Sequence, residues 1–275
     1  MQANRKTEIT QKTAFNGHIL AIEINDFLPS GYNSTKSRSR VIPNILHLLD
    51  HIDKYRAEGN FYITPEIMQD FPEIVSLVFS RGHEIGLCCD YRTFRCPGDI
   101  AGHKEKLEEI TGKKTMGLML KYGSKEGNAI LKSLAGRGFS YFLTDFKITS
   151  RGEDKWPVEV KFNDTAAIHT FPPSLYRFFG MDINFGHPGK IRLYPYWFLR
   201  KCLRHFTHNE IPAVLNFPLW EFDPHLPRQL LPPLQSLRSY GNLSLAEFKL
   251  TRLLLEFDFV GIPRMLVSQT HSDNR

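Results

Sequence analysis

From residue 18 to residue 144 the chain alternates short apolar runs with amphipathic stretches, and this alternation is what most restricts its fold. His18-Ile19-Leu20-Ala21-Ile22-Glu23-Ile24 predicts a buried first strand running into Asn25-Asp26. Residues 27–40 carry Pro, Gly, Asn and five Ser/Thr, a loop composition, before an amphipathic helix with Ile42, Ile45, Leu46, Leu49 and Ile52 on one face. The same unit repeats as strand 60–64, helix 65–81, strand 83–88, helix 99–111, strand 115–120, helix 125–136 and strand 139–144. Pro65 suits a first helical turn, and Gly82 and Gly138 suit exits from helices. Strands separated by 10–15-residue helices pair in parallel through right-handed crossovers, which gives an α/β sheet or barrel. Beyond residue 150 the rhythm loosens into a Pro- and aromatic-rich stretch. A helix at 194–206, a strand at 212–217, a helix near 244–256 and a last short strand within 258–268 follow.

Active sites in such folds lie beyond the carboxyl ends of the strands. The residues to interrogate are therefore Asp26, Cys88 to Arg92, Leu118 to Lys121, Thr144-Asp145 and Phe217 to Glu221.

Composition narrows the class. With 275 residues, 41% hydrophobic and 23% charged, the chain can bury one large core, so one domain is expected over 18–275 after a polar segment at 1–17, with a helical extension from about 226. The formal charge of +6 suits an acidic glycan, a nucleic acid or an anionic membrane surface. Lys and Arg are spread along the chain, which is the pattern of a solvated basic surface, and nucleic acid is not expected as a partner. The four cysteines, Cys88, Cys89, Cys96 and Cys202, form no CxxC pair and no readable disulfide framework. The start of the chain is polar, and no run of about 18 apolar residues occurs, so the expectation is a cytoplasmic protein without membrane insertion.

The segments EIND, GNFYI, FPEIVSLVFSRGHEIG, TGKKTMG, GRGFSYFLTDF, TFPPSLYR, RLYPYWFLR and LNFPLWEFDPHLPR, in this order across residues 18–260, resemble the polysaccharide deacetylases (NodB homology, carbohydrate esterase family four) of exopolysaccharide loci. The resemblance implies a distorted (β/α) barrel of about seven strands with a C-terminal helical extension. It also implies a zinc-assisted attack of water on an N-acetyl group. Neutral imidazoles and a carboxylate would leave metal positions open, the metal would lower the pKa of its water, and a general acid would protonate the leaving amine.

Laid onto this sequence, the family's parts fall on altered residues. The first-strand Asp-x-Glu-Asp pattern falls on Glu23-Ile24-Asn25-Asp26, and the metal-binding HxxxH pair falls on Cys88 and Arg92. The Arg of the Arg-x-Pro segment falls near Met119, and the late His falls on Pro218. The degenerate catalytic positions are thus Glu23, Asn25, Asp26, Met119 and Pro218, and the degenerate metal positions are Asp26, Cys88 and Arg92. No cofactor is expected. Zinc would enter only through an unorthodox set drawn from Asp26, Cys88, Cys89 and Asp90, and strand alternation sends Cys88 and Cys89 to opposite faces.

His83, in the GHEI turn, reads as structural. His169, His187, Tyr194 and Trp220 are candidates for a glycan-binding rim. The leading reading is a catalytically silent homologue that binds or regulates within exopolysaccharide or envelope carbohydrate metabolism, with a glycan or a glycan-assembly protein as partner. A metal-dependent N-deacetylase and a purely structural subunit are the alternatives. Because an empty carboxylate site would be self-repelling, the guanidinium of Arg92 is expected to pair with Asp26, or failing that with Glu23.

Overall fold

The computed structural model describes residues 17–25, 40–90, 97–121, 134, 136–145, 157–163, 166–223, 225–228 and 230–273. The polar segment through residue 16, Asp26, Arg92, Cys96 and all but the end of the expected helix 125–136 lie outside them.

The first half follows the expected rhythm: β1 (Ile19–Ile24), α1 (Val41–Lys54), β2 (Gly59–Ile63), α2 (Pro65–Asp70), α3 (Glu73–Ser80), β3 (Glu84–Asp90), α4 (Pro97–Thr111), β4 (Gly117–Lys121) and β5 (Tyr141–Thr144). The helix expected over 65–81 is two helices. Phe71 takes φ −137° and ψ 63°, a non-helical conformation of the kind forced on the residue before a proline, and Pro72 supplies no N–H.

The second half holds β6 (Val158–Asn163), β7 (Ala166–Phe171), β8 (Leu175–Phe178), β9 (Met181–Asn184), a one-turn α5 (Lys190–Leu193), α6 (Tyr196–His208), β10 (Val214–Pro218) and a 3-10 turn, Leu219–Phe222. Then come α7 (Pro233–Tyr240), α8 (Ala246–Glu256) and α9 (Ile262–Asp273). The last of these corrects the short strand expected within 258–268. Its buried residues Ile262, Met265 and Leu266 recur at helical spacing, and strand-like pairing in this region is limited to one bridge between His18 and Phe259.

The strands form one sheet in the order β10-β1-β2-β3-β4-β5-β7-β6. Seven run parallel, and β6 pairs antiparallel with β7 at one edge. The sheet curls into an open barrel, so its two faces part the side chains. Leu20, Ile22 and Ile24 of β1 pack outward with the helices. Ile19 and Ala21 face inward with Tyr62, Cys88, Met119, Tyr141, Leu143 and Phe171. The amino end of this interior is closed by Ile262, Met265 and Leu266 of α9.

Inside the barrel, space for tyrosines is made by glycines. A Cβ on Gly117 would lie 2.2 Å from the Tyr141 hydroxyl, and one on Gly86 would lie 2.5 Å from the Gly117 carbonyl. Tyr62 Oη donates to Tyr141 Oη at 3.3 Å, and Tyr141 Oη donates to Glu84 Oε1 at 3.4 Å. Burial pushes the Glu84 carboxyl up, to about 7. His83 has a structural position: its Nδ1 accepts the Gly59 N–H at 3.3 Å, and its Nε2 lies 3.1 Å from Asp53.

Candidate functional site

Strand parity selects the side chains that meet at the carboxyl end of the barrel. Glu23 is the third inward position of β1, Lys121 ends β4 two residues beyond the inward Met119, and Asn216 lies mid-strand in β10. Together they build a polar knot. Lys121 Nζ lies 2.6 Å from Glu23 Oε2, Asn25 Nδ2 donates to the same oxygen at 3.1 Å, and Asn216 Nδ2 donates to Oε1 at 2.7 Å. Glu23 has no exposed side-chain surface and Lys121 keeps 22% of its own. A buried carboxylate is stable only when its charge is met by hydrogen bonds and a counter-charge, and here both oxygens are engaged.

A second ion pair stands beside the first. Arg192 of α5 and Glu221 of the 3-10 turn are both buried, with Nε 2.9 Å from Oε2. Burial pushes Glu221 up, to about 7, against the pull of the Arg192 guanidinium and the Gly189 backbone, and the Glu23 charge adds to the rise. The guanidinium is also 5.5 Å from the Trp220 ring centre and donates to the Gly241 carbonyl. Lys249, buried in α8, fixes α5 from behind: its ammonium donates to the carbonyls of Ile191, Arg192 and Tyr194.

One turn further, Asp223 receives Arg40 through two bonds, that from Nη2 to Oδ1 being 2.6 Å, together with Asn44 at 3.3 Å and the His225 N–H at 2.9 Å. Burial would raise this carboxyl, but the hydrogen bonds from Arg40, Asn44 and the His225 N–H, with the Arg40 charge, together outweigh it and hold the group below the usual carboxylate range.

A cleft opens beside the knot, lined by Lys121, Asp145, Asn184, His187, Pro188 and Asn216 above a floor of Met119, Leu143 and Val214. Its empty volume, counted out to solvent, is about 390 Å³.

Of the residues singled out from sequence, the structure brings Glu23, Asn25 and Met119 to this end of the barrel, with Pro218 level with Glu23 on the neighbouring strand. Cys88 faces the interior beside Met119, whereas Cys89 packs outward among the helix-facing residues, where burial raises its thiol pKa. His187 is exposed on the cleft wall. His169 is level with Tyr141, deeper in the barrel than the cleft. Tyr194 packs against Phe198, 5.1 Å between ring centres, and Trp220 covers Arg192. Asp26 and Arg92, and hence their expected pairing, lie outside the described residues, as does the side chain of Asp90.

Lys121 and Glu221 fall within the strand-end stretches marked from sequence, but without a role assigned to either; Asn216, Arg192, Arg40 and Asp223 were not singled out. The available signal for Lys121 was its place on the Met119 side of β4, at the strand's carboxyl end.

The described residues do not fit a divalent ion. Cys88 and Cys89 lie on opposite faces, the Glu23 oxygens are taken by an ammonium and two amides, and among the described residues no three His, Cys, Asp or Glu side chains cluster at metal-binding distance.

Comparison with solved structures identifies the architecture as the polysaccharide deacetylase-like (NodB-type) barrel. A Mycobacterium smegmatis protein assigned as a polysaccharide deacetylase superposes with a TM-score of 0.60 at 16% identity, covering 93% of this chain and 90% of that one. A corresponding Pseudomonas aeruginosa protein gives 0.56 at 13% identity over 92% and 90%. The allantoinase PuuE gives 0.58 at 10% identity over 92% and 89%. Within this fold the chain carries one sequence-level match: residues 144–267 fit the family described as domain of unknown function DUF3473. No curated protein matches the sequence.

Proposed function

We propose that the protein is a catalytically silent relative of the polysaccharide deacetylases that binds a glycan in exopolysaccharide or cell-envelope carbohydrate metabolism. The observation that carries this reading is the state of Glu23. It occupies the position at which the resemblance would place the first active-site carboxylate, yet it is fully buried and held by Lys121, Asn25 and Asn216. A carboxylate so engaged has no oxygen left to take a proton from an attacking water, since a general base must reach that proton directly or through one water. The position of the late acid is Pro218, which cannot donate a proton from its side chain.

The cleft beside the knot supports binding in place of turnover. Its lining offers amide, imidazole, ammonium and carboxylate groups together with Pro173 and Pro188, a mixture suited to hydroxyl-rich ligands. Affinity for a glycan segment is expected in the range of ~0.1–1 mM, weakening with added salt if the sugar is acidic.

The test has two arms. Protein purified without chelator is incubated with N-acetylglucosamine oligomers, with and without zinc or cobalt, and acetate is measured. The same preparation is titrated calorimetrically with envelope glycans. The expected result is acetate at the level of heat-killed protein together with saturable binding of at least one glycan. Metal-dependent acetate release would overturn the silent reading. Absence of any binder at millimolar concentration would overturn the glycan reading in favour of a structural subunit. A single restoring substitution is not expected to confer activity, because the metal's contribution of several kcal/mol needs its whole ligand set. Cys88→His, Arg92→His and Pro218→His together are the minimum.

A further inference from the structure

The β8–β9 hairpin carries an unusual tip. It closes through a two-residue turn with φ 47° at Phe179 and 80° at Gly180, positions where the hairpin geometry favours Asn-Gly. A bulky residue held at positive φ is strained, and Phe179 gains little burial in exchange, being 87% exposed with Met181 beside it at 63%.

The tip continues into a basic aromatic face. Phe179 packs on Phe178 at 4.4 Å, Lys201 lies 5.6 Å from the Phe178 ring centre, and Phe178 meets Phe198 at 5.4 Å. From there α6 presents Trp197, 62% exposed, and α8 presents Arg252, stacked between Tyr196 at 4.6 Å and Phe248 at 5.8 Å. Arg177 faces Asp182 across the hairpin and Arg200 is paired with Glu256, while Lys201, Arg204 and Arg252 add positive charge to the same surface.

We propose that the β8–β9 tip and the outer faces of α6 and α8 dock the protein on an anionic lipid membrane. Phe179, Met181 and Trp197 would enter the headgroup boundary, and Lys201, Arg204 and Arg252 would meet the lipid phosphates. Charge separates this occupant from a second copy of the chain. A symmetric dimer through the tip would bring Lys201 and Arg204 toward their own counterparts, and two protruding side chains are far from the roughly 800 Å² per partner of a stable interface. No helix among the described residues is long and apolar enough to cross a membrane, so attachment here is at the surface. The hairpin also links this face to the cleft: Asn184, at the far end of β9 from the tip, lines it, so cleft and bilayer would be separated by roughly 10–14 Å of strand.

The test uses the full chain with phosphatidylcholine vesicles, with and without phosphatidylglycerol. Co-sedimentation with the anionic vesicles alone, reduced by salt, is expected. A blue shift in emission that is lost in Trp197→Phe is expected as well. Phe179→Ser/Met181→Ser should abolish binding. Lys201→Gln/Arg204→Gln should weaken it roughly 25-fold, a factor of about five per basic residue. Both variants alter exposed positions and should keep the wild-type unfolding temperature. Failure to sediment with anionic vesicles, equal binding by the hairpin variant, or a concentration-dependent dimer that this variant abolishes would each overturn the proposal. The vesicle result does not depend on which glycan the cleft takes.

Discussion

Glu23 shows how one side chain can decide the chemistry of a fold. Its charge is buried and its main counter-charge is Lys121, so removing the ammonium leaves a carboxylate without compensation. Breaking a buried pair typically costs about 3–5 kcal/mol, and the partial exposure of Lys121 reduces that, so Lys121→Met is expected to lose roughly 2–4 kcal/mol in urea unfolding. Glu23→Gln in the same chain should recover part of the loss; a single variant within about 0.5 kcal/mol of wild type would show that the pair is not structural. At the other end of the barrel, Glu84 gives a pH signature. Its folded-state pKa of about 7 lies above its ordinary value of 4.5, so the folded protein keeps a proton that the unfolded chain releases. The associated stabilisation is full below pH ~4.5 and is lost as pH rises through ~7, amounting to at most about 3 kcal/mol. Buried His18, lowered to about 4, acts oppositely, losing stability as pH falls, so the two effects mask each other in the wild type. Comparing Glu84→Gln with wild type isolates the first: the stability difference between them should change across pH 4.5–7.5, and a constant difference would refute the assignment. The resemblance located Glu23 from sequence because its segment is contiguous. The strand-end position of Lys121 was legible, but its meeting with Glu23 and Asn216 was not, since it depends on strands 98 and 193 residues distant closing into one curve.

At the scale of elements, the inward face of the sheet is packed by pairing small with large. Gly117→Ala would place a methyl against Tyr141 with no route of retreat, because Tyr141 is enclosed on every side. A loss of about 1–3 kcal/mol or more is expected from overpacking, with partial relief when Tyr141→Leu is added. Additive losses in the double variant, measured by denaturant unfolding, would refute the contact. The first five strands were legible because fully buried parallel strands are near-continuous apolar runs between amphipathic helices. β8 and β9 were not, since they are four residues each and at most partly buried, with Tyr176, Phe178 and Ile183 packed on the core while Met181 is exposed. The sequence IPRMLV was misread as a strand because apolar residues at 262, 265, 266 and 267 satisfy a helix as readily as an interrupted strand when length is not weighed.

For the whole molecule, α9 is the floor of the barrel. Ile262, Met265 and Leu266 close the inner core, and burial of three such side chains is worth roughly 5–9 kcal/mol, comparable with the total stability of a domain. A chain ending at residue 260 is therefore expected to unfold without a cooperative thermal transition, whereas Ile262→Ala should keep one at a temperature several degrees lower. A truncated chain with the wild-type transition would show that the floor is dispensable. The sheet order has a temporal counterpart. β1 is made first but lies between β2 and β10, and its β10 edge is filled only when Val214–Pro218 has been synthesised, about 190 residues after Ile24. At about 5–20 residues per second that edge waits roughly 10–40 s on the ribosome. Nascent chains interrupted before residue 214 expose an apolar strand with unpaired N–H and C=O groups, and these are the species expected to aggregate during expression.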